Sequence, residues 1–298
     1  MAAPTAPTLV TITTEAIKKA GYTSTSSSQY ATLLARAQSD WIEEVKWDIW
    51  SVCKKLTALQ KISIQGITKG KSIYPLPTDF SSHISATLMY GATTGTAQAG
   101  AATSITLAAS DASTSAIIGK EIVTTGGTGA NQINQITAID TATKVATVAY
   151  TWATNPASDT TYRIVDYYCP MTEAPVWDYD NRSMAQSQVR PEYFHIKGDN
   201  DNGEIIIDTP DDSYSLKIRY YADLMRLDLD SSTDSTIVQI YRRYRNVFTQ
   251  GVFVKCLQSQ DDARYKTEAN IYGNLLQALQ ARESYGMDLS NLIMSVTD

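Results

Sequence analysis

Histidine is nearly missing: the chain holds only His83 and His195. Neither stands near a cysteine or in the paired spacing of a metal-binding helix, so a histidine-built metal centre or catalytic triad has little to build on. The three cysteines, Cys53, Cys169 and Cys256, are odd in number, far apart and without CxxC spacing. They read as small buried hydrophobes rather than as a disulfide or metal set. No apolar run reaches the roughly 18 residues that a membrane span needs. A basic excess is also lacking, because 25 Lys and Arg face 31 Asp and Glu for a net charge of −6. Gripping nucleic acid, which relies on cations neutralising phosphates, is therefore not expected. The opening MAAPTAPTLV has neither the basic flank nor the apolar core of a secretory signal, and cytoplasmic synthesis is the expectation.

What is present is the material of a folded protein. Hydrophobic residues make up 43% and charged residues 19% of 298 positions, enough for a sizeable core and for two compact units. The strongest periodicity lies in the last quarter. Ile237, Tyr241, Tyr244, Phe248, Val252 and Cys256 recur at spacings of three and four, along one stripe of a helix. Tyr265, Ala269, Tyr272, Leu276 and Leu279 repeat the pattern, and Asp261-Asp262 between them supplies acids where a second helix would begin. A helical hairpin over 236–284 is predicted, its tyrosine stripe a packed core or a subunit contact. Its polar faces, with Arg242, Arg245, Gln250, Lys255 and Glu268 among them, are expected to meet water. Near the other end, 14–20 reads as a short helix stopped by Gly21, and the Ser/Thr run 23–28 offers N-caps. From Tyr30 a stripe of Leu34, Ala37, Trp41, Val45, Ile49, Val52, Leu56 and Leu59 predicts one long helix over 30–59, with Trp47 and Trp50 off the stripe and open to a second contact.

From Ile62 the texture is β. The heptad YPLPTDF (74–80) carries two prolines, which exclude a central strand and fix an extended corner before a strand at 85–90. Between 91 and 163 the composition shifts to Ala, Thr, Ser and Gly. Short apolar runs at 104–108, 117–124, 132–139, 144–150 and 161–165 alternate with turn signals, as expected of a small all-β module inserted into a host domain. Beyond it, strands within 190–208 and 214–221 predict an antiparallel meander.

Constellations that could carry chemistry are sparse. His195 sits within a strand pattern and reads as structural. The acidic turn 199–204 resembles a calcium loop, but aligning Gly203 with the loop's sixth position puts Gly198 where the first carboxylate is required, so a hairpin turn is the better reading. The stretch GGTGAN lacks the Lys-Ser/Thr and helix of a phosphate loop. Asp178, Asp180 and Glu173 beside Trp177 are the grouped acids on which a carbohydrate-binding or glycan-cleaving protein could rest.

With YPLPTDF, the segments FHIKG, GEIIID and YSLKIRYYADL, and the terminal block from IYRRYRNVFTQGVFVKC through DDARYKTEANIYGNLLQAL in that order, the chain resembles the head-to-tail adaptor (connector) proteins of short-tailed bacteriophages. Residues 91–163 look like a β module that recurs in virion proteins. The resemblance implies a non-enzymatic structural subunit of the virion neck, a dodecameric ring that binds a portal protein on one side and a tail or nozzle protein on the other, with DNA passing through it unread. It implies no cofactor and no membrane. It also implies that the apolar tail beyond Gly286, with Met287, Leu289, Leu292, Ile293 and Val296, docks on the portal; folding back on its own hairpin is the alternative. The expected architecture is α+β: a helical body of long N-terminal helix and C-terminal hairpin, an antiparallel β core, and the inserted all-β module. The corresponding divisions are 1–90, 91–165 and 166–298.

Overall fold

The computed structural model describes residues 8–110, 115–175, 188–198, 202–229 and 235–285. The fold is α+β, with a long N-terminal helix, a C-terminal helical hairpin and two seven-stranded sheets. It divides into a helical unit, Met1–Gln60 with Tyr221–Asp298, and a β unit, Lys61–Tyr220.

In the helical unit, α1 (Leu9–Lys19) begins at Thr8, whose hydroxyl accepts from the Thr11 amide at 3.3 Å, and stops before Gly21 at φ 105°. The glycine stop is the one expected, because a left-handed residue closes the last turn without a Cβ penalty. The start lies five residues before the predicted one. The β-branched run LVTIT has low helix propensity, but Leu9, Ile12, Ala16 and Ile17 bury one stripe, and that burial outweighs the small propensity cost. The next helix runs without a break as α2 (Ser28–Arg36), a five-residue π turn (Ala37–Trp41) and α3 (Ile42–Val52), capped by Ser27. The π turn inserts one residue, so Trp41 and Ile42 are both buried where a regular stripe would bury one.

This helix ends at Val52, not at Leu59. Cys53 is extended, and a single 3-10 turn, Thr57–Leu59, follows. Leu56 and Leu59 kept the helical spacing because both are fully buried, and burial alone does not say which backbone delivers it.

The hairpin is α4 (Ser235–Ser259) and α5 (Tyr265–Tyr285). Every residue of the α4 stripe from Ile237 to Cys256 is buried, as are Ile240, Phe253 and Leu257 off it. α4 is thus the central helix of its unit, with α1, α3 and α5 packed on it. The two acids between the helices divide their work. Asp261 takes φ 52° and closes α4, while Asp262 accepts from the Arg264 amide at 2.8 Å ahead of α5. Gln250, expected in water, is buried instead; its Oε1 accepts from Lys19 Nζ at 2.5 Å and its Nε2 donates to Glu268 Oε2 at 2.8 Å, tying three helices together.

In the β unit the first sheet has the order β1-β14-β3-β11-β12-β13-β2, with β1 Gln60–Ile67, β2 Ile73–Pro75, β3 Phe80–Tyr90, β11 Tyr167–Glu173, β12 Tyr193–Lys197, β13 Glu204–Ile207 and β14 Tyr214–Ala222. Pro75 lies on the edge strand, where a missing N–H costs no ladder bond. The predicted meander does not form. β12 and β13 pair as a hairpin, but β13 goes on to β2, while β14 crosses to lie between β1 and β3. Leu216, Ile218 and Tyr220 are buried on one face as expected, and on the other Ser215 is buried while Arg219 is exposed.

The second sheet, β4-β10-β7-β8-β9-β6-β5, is built wholly from 94–165: β4 Thr94–Thr96, β5 Ala99–Ala101, β6 Ser104–Thr106, β7 Glu121–Gly126, β8 Gln132–Asp140, β9 Val145–Val148 and β10 Thr161–Val165. Its core gathers Leu107, Ile122, Ile136, Trp152, Tyr162 and Ile164. β4 and β5 escaped the apolar pattern because TGT and AGA have no large side chain. The segment leaves β3 at Tyr90 and returns into β11 at Tyr167, and these two residues are paired opposite one another. Only glycine fits at the exit, since a Cβ on Gly91 would stand 1.6 Å from the Ile164 carbonyl oxygen.

Candidate functional site

The tyrosines of the hairpin are core rather than a ligand box. Tyr241 donates its hydroxyl to the Leu229 carbonyl at 3.0 Å, Tyr244 to Glu283 Oε1 at 3.0 Å and Tyr272 to Asp48 Oδ2 at 3.4 Å. Burial first, and the facing carboxylates second, push the Tyr244 and Tyr272 hydroxyls well above the usual phenol range. Among the described residues of the helical unit, Trp47 on α3 is the exposed aromatic, at 60%, with Trp50 half-buried one turn on, and Val10 and Ile271 are exposed aliphatics.

The five tail residues singled out for partner binding, Met287, Leu289, Leu292, Ile293 and Val296, lie outside the described residues. So do Trp177, Asp178 and Asp180 of the grouped acids. Glu173 is described, and it is paired: its Oε2 lies 3.2 Å from His83 Nε2, whose ring stands edge-on to Phe194. His195 holds a strand position, with Nδ1 3.2 Å from the Ala174 carbonyl. The turn between Lys197 and Glu204 closes an antiparallel pair, although 199–201 lie outside the described residues. In GGTGAN, Gly127, Gly129 and Asn131 all take positive φ, and the Thr128 amide and hydroxyl both donate to Asp159 Oδ2 at 3.0 and 3.1 Å. That loop is thus satisfied by its own chain. Among the described residues no three His, Cys, Asp or Glu side chains are grouped to hold a metal, and no helix is long and apolar enough to cross a membrane. Burial raises the Cys53 and Cys256 thiols, the latter to about 11, away from the thiolate that nucleophilic chemistry needs.

The concave feature that the sequence did not reveal lies within the β unit. A cleft of about 400 Å³ opens where β1, β4, β10 and β14 come together, lined by Thr68, Thr94, Thr96, Thr161, Ser213 and Ser215, with Tyr162, Tyr214 and Arg163. Arg163 is only 8% exposed. Its Nη1 donates to the Gly91 carbonyl at 2.7 Å, and its Nε–H has no hydrogen-bond partner among the described residues. Burial lowers its pKa from the ordinary guanidinium value, opposed by the nearby charge of Asp212. The fully buried Ser215 hydroxyl is likewise without a partner among the described residues.

Compared with known proteins, the sequence matches no protein-family model, and no curated protein matches it.

Proposed function

We propose that the chain is a structural subunit of a bacteriophage neck, assembling as a dodecameric adaptor ring between a portal protein above and a tail or nozzle protein below, with DNA passing through the channel. The observation that carries this reading is the helical unit. Its core is already complete around Tyr241, Tyr244 and Phe248, yet Trp47 remains 60% exposed on a helix that would otherwise be polar outward. A large aromatic left over after the subunit's own core is filled is the kind of anchor that a neighbouring copy covers. The order of long helix, β sheet with inserted module, and helical hairpin supports the same reading, since it is the order that suggested the adaptor resemblance. A net charge of −6 suits a channel that lets phosphate pass without holding it. The tail residues Met287, Leu289, Leu292, Ile293 and Val296 would then bind the portal.

Native mass spectrometry and electron microscopy of the purified full chain test the proposal. Rings at a multiple of the 32.7 kDa chain are expected, with Trp47→Ser shifting mass toward monomer while the circular-dichroism spectrum is unchanged. A strictly monomeric protein that cleaves or binds glycan would overturn it. Truncation after Ser284 separates the tail's role: rings should persist and portal attachment should be lost.

A further inference from the structure

We infer that Trp47 of one copy docks on Arg242 and Arg243 of the next, so that adjacent subunits join head to tail through an acidic, aromatic face of α3 and a basic face of α4. The inference rests on the ring reading above and names the surface that covers the exposed tryptophan.

The two faces lie on different sides of the helical unit. Val45 of α3 stands against Gly251 of α4, and Trp47, two residues further on, is turned about 200° from it around the helix. The tryptophan therefore leads away from α4, and it is 60% exposed. On α4, Tyr241 and Tyr244 turn inward and are buried, while Arg242 and Arg243 between them are exposed. A further arginine of that helix, Arg245, is engaged by Glu15 of α1, its Nε donating to Oε2 at 3.1 Å. Each face thus points out of the unit, and neither can serve the other within one chain. Two surfaces of different chemistry on one subunit make a heterologous contact, which closes as a ring when the rotation between copies allows it.

The charges of the faces are complementary. Asp40, Glu43 and Glu44 are exposed on the same helical run as Trp47, the two glutamates one turn before it. Glu43 meets Lys46 at 3.0 Å and Glu44 meets Lys255 at 2.9 Å, yet the glutamate side chains stay 52% and 53% exposed. An indole face beside carboxylates suits a guanidinium, because the ring attracts its flat cation and the acids accept from its N–H groups. The same run already sets cations against its other tryptophans: the Arg36 guanidinium lies 5.3 Å from the Trp41 ring and the Lys54 ammonium 6.0 Å from the Trp50 ring. Trp47 is the tryptophan of this run whose ring lies open to a cation from another chain.

Disulfide trapping in the full-length chain tests this. Trp47→Cys combined with Arg242→Cys or with Arg243→Cys, once oxidised, is expected to give a ladder of covalent oligomers that ends at the ring, and the single variants should give none. A second measurement is the subunit dissociation constant. Arg242→Ala with Arg243→Ala should weaken association about 3- to 30-fold, the weight of a desolvated cation–π contact, with an unchanged circular-dichroism spectrum. In a Trp47→Ser background the same pair should weaken it less than about 2-fold, because the contact is already gone. Rings that form without a ladder from either cysteine pair, or arginine and tryptophan effects that simply add, would overturn this contact while leaving the ring standing. A ladder that stops at the dimer would show a two-fold pair in place of head-to-tail closure and would overturn it too. Unmodified protein that stays monomeric would overturn the ring reading and this contact together.

Discussion

Glu283 is the residue whose loss the helical unit should feel most. It sits in the last turn of α5 with its side chain 2% exposed. Its Oε1 accepts from the Tyr244 hydroxyl at 3.0 Å; its Oε2 accepts from the Thr57 amide at 2.7 Å and the Thr57 hydroxyl at 2.5 Å. One carboxylate thereby joins the end of α5 to the middle of α4 and to the turn that follows the N-terminal helix. Glu283→Ala removes three hydrogen bonds and leaves the Tyr244 hydroxyl and Thr57 amide unpaired. At about 1 to 3 kcal/mol for each stranded group, less whatever water can restore, the loss should be about 3 to 5 kcal/mol. Glu283→Gln keeps the shape but turns one acceptor into a donor facing a donor, and should cost about half as much. The measurement is urea unfolding followed by the helical circular-dichroism signal at fixed protein concentration, because assembly would shift the midpoint by mass action. The cycle of Tyr244→Phe with Glu283→Ala should show a coupling of about 1 to 2 kcal/mol. A loss under about 1 kcal/mol for Glu283→Ala, with no coupling, would refute the view that this carboxylate pins the unit.

Three further outcomes follow from the same geometry. Gly251→Ala gains up to about 1 kcal/mol of helix propensity, but the added Cβ would lie 2.7 Å from Val45 Cγ2 and 2.9 Å from the Tyr272 ring. Crowding of about 1 to 3 kcal/mol should win, so thermal melting is expected to fall, and a rise would mean that the helices separate freely there. Tyr220, Tyr244 and Tyr272 all have hydroxyls raised above 10.0, first by burial and then by Asp79, Glu283 and Asp48. The folded state therefore holds protons that the unfolded chain releases, so their stabilisation is fully present below about pH 10 and is lost progressively above it; a flat stability profile from pH 9 to 11 would contradict this. Replacing 92–165 by a short Gly/Ser bridge joins paired strand ends, but it uncovers Met89 and Ile64, which pack with Val123 and Val165. The expected product keeps its helical signal and loses about 3 to 6 kcal/mol from its β unit by exposing two large side chains, read as a lowered β transition; an unchanged transition would show that those contacts contribute nothing.

The helices were legible because a stripe at 3.6-residue spacing has few other uses, and each of the six stripe positions, Ile237, Tyr241, Tyr244, Phe248, Val252 and Cys256, is buried. Their ends were not. Leu56 and Leu59 fall on the helical stripe but reach the core from a turn. Lys46 carries no sign in the sequence of being 2% exposed, yet its ammonium donates to the carbonyls of Met225 and Leu227 at 3.4 and 3.3 Å; those acceptors lie about 180 residues away, and no local pattern announces them. Strand pairing failed for a related reason. Consecutive strands usually neighbour one another, which is the expectation for β14 beside β13, whereas the place of β14 between β1 and β3 rests on pairing with segments far away in the chain that no local pattern announces.

The burial of Arg163 was illegible for the same physical cause. In β10, Thr161–Val165, strict alternation would put Arg163 on the face opposite Tyr162 and Ile164, toward water. The strand is instead buried from Tyr162 through Val165 on both faces, so the arginine's outward face is an inner one. Periodicity reports one covered side; a second covering segment, here the end of β3 whose Gly91 carbonyl accepts from Arg163 Nη1, is tertiary information. A guanidinium that ends up under such cover without a carboxylate bonded to it is destabilising unless something else meets its donors. The Gly91 carbonyl takes only Nη1, and replacing the arginine by an apolar residue of like volume would remove the cost of burying the charge while keeping the packing.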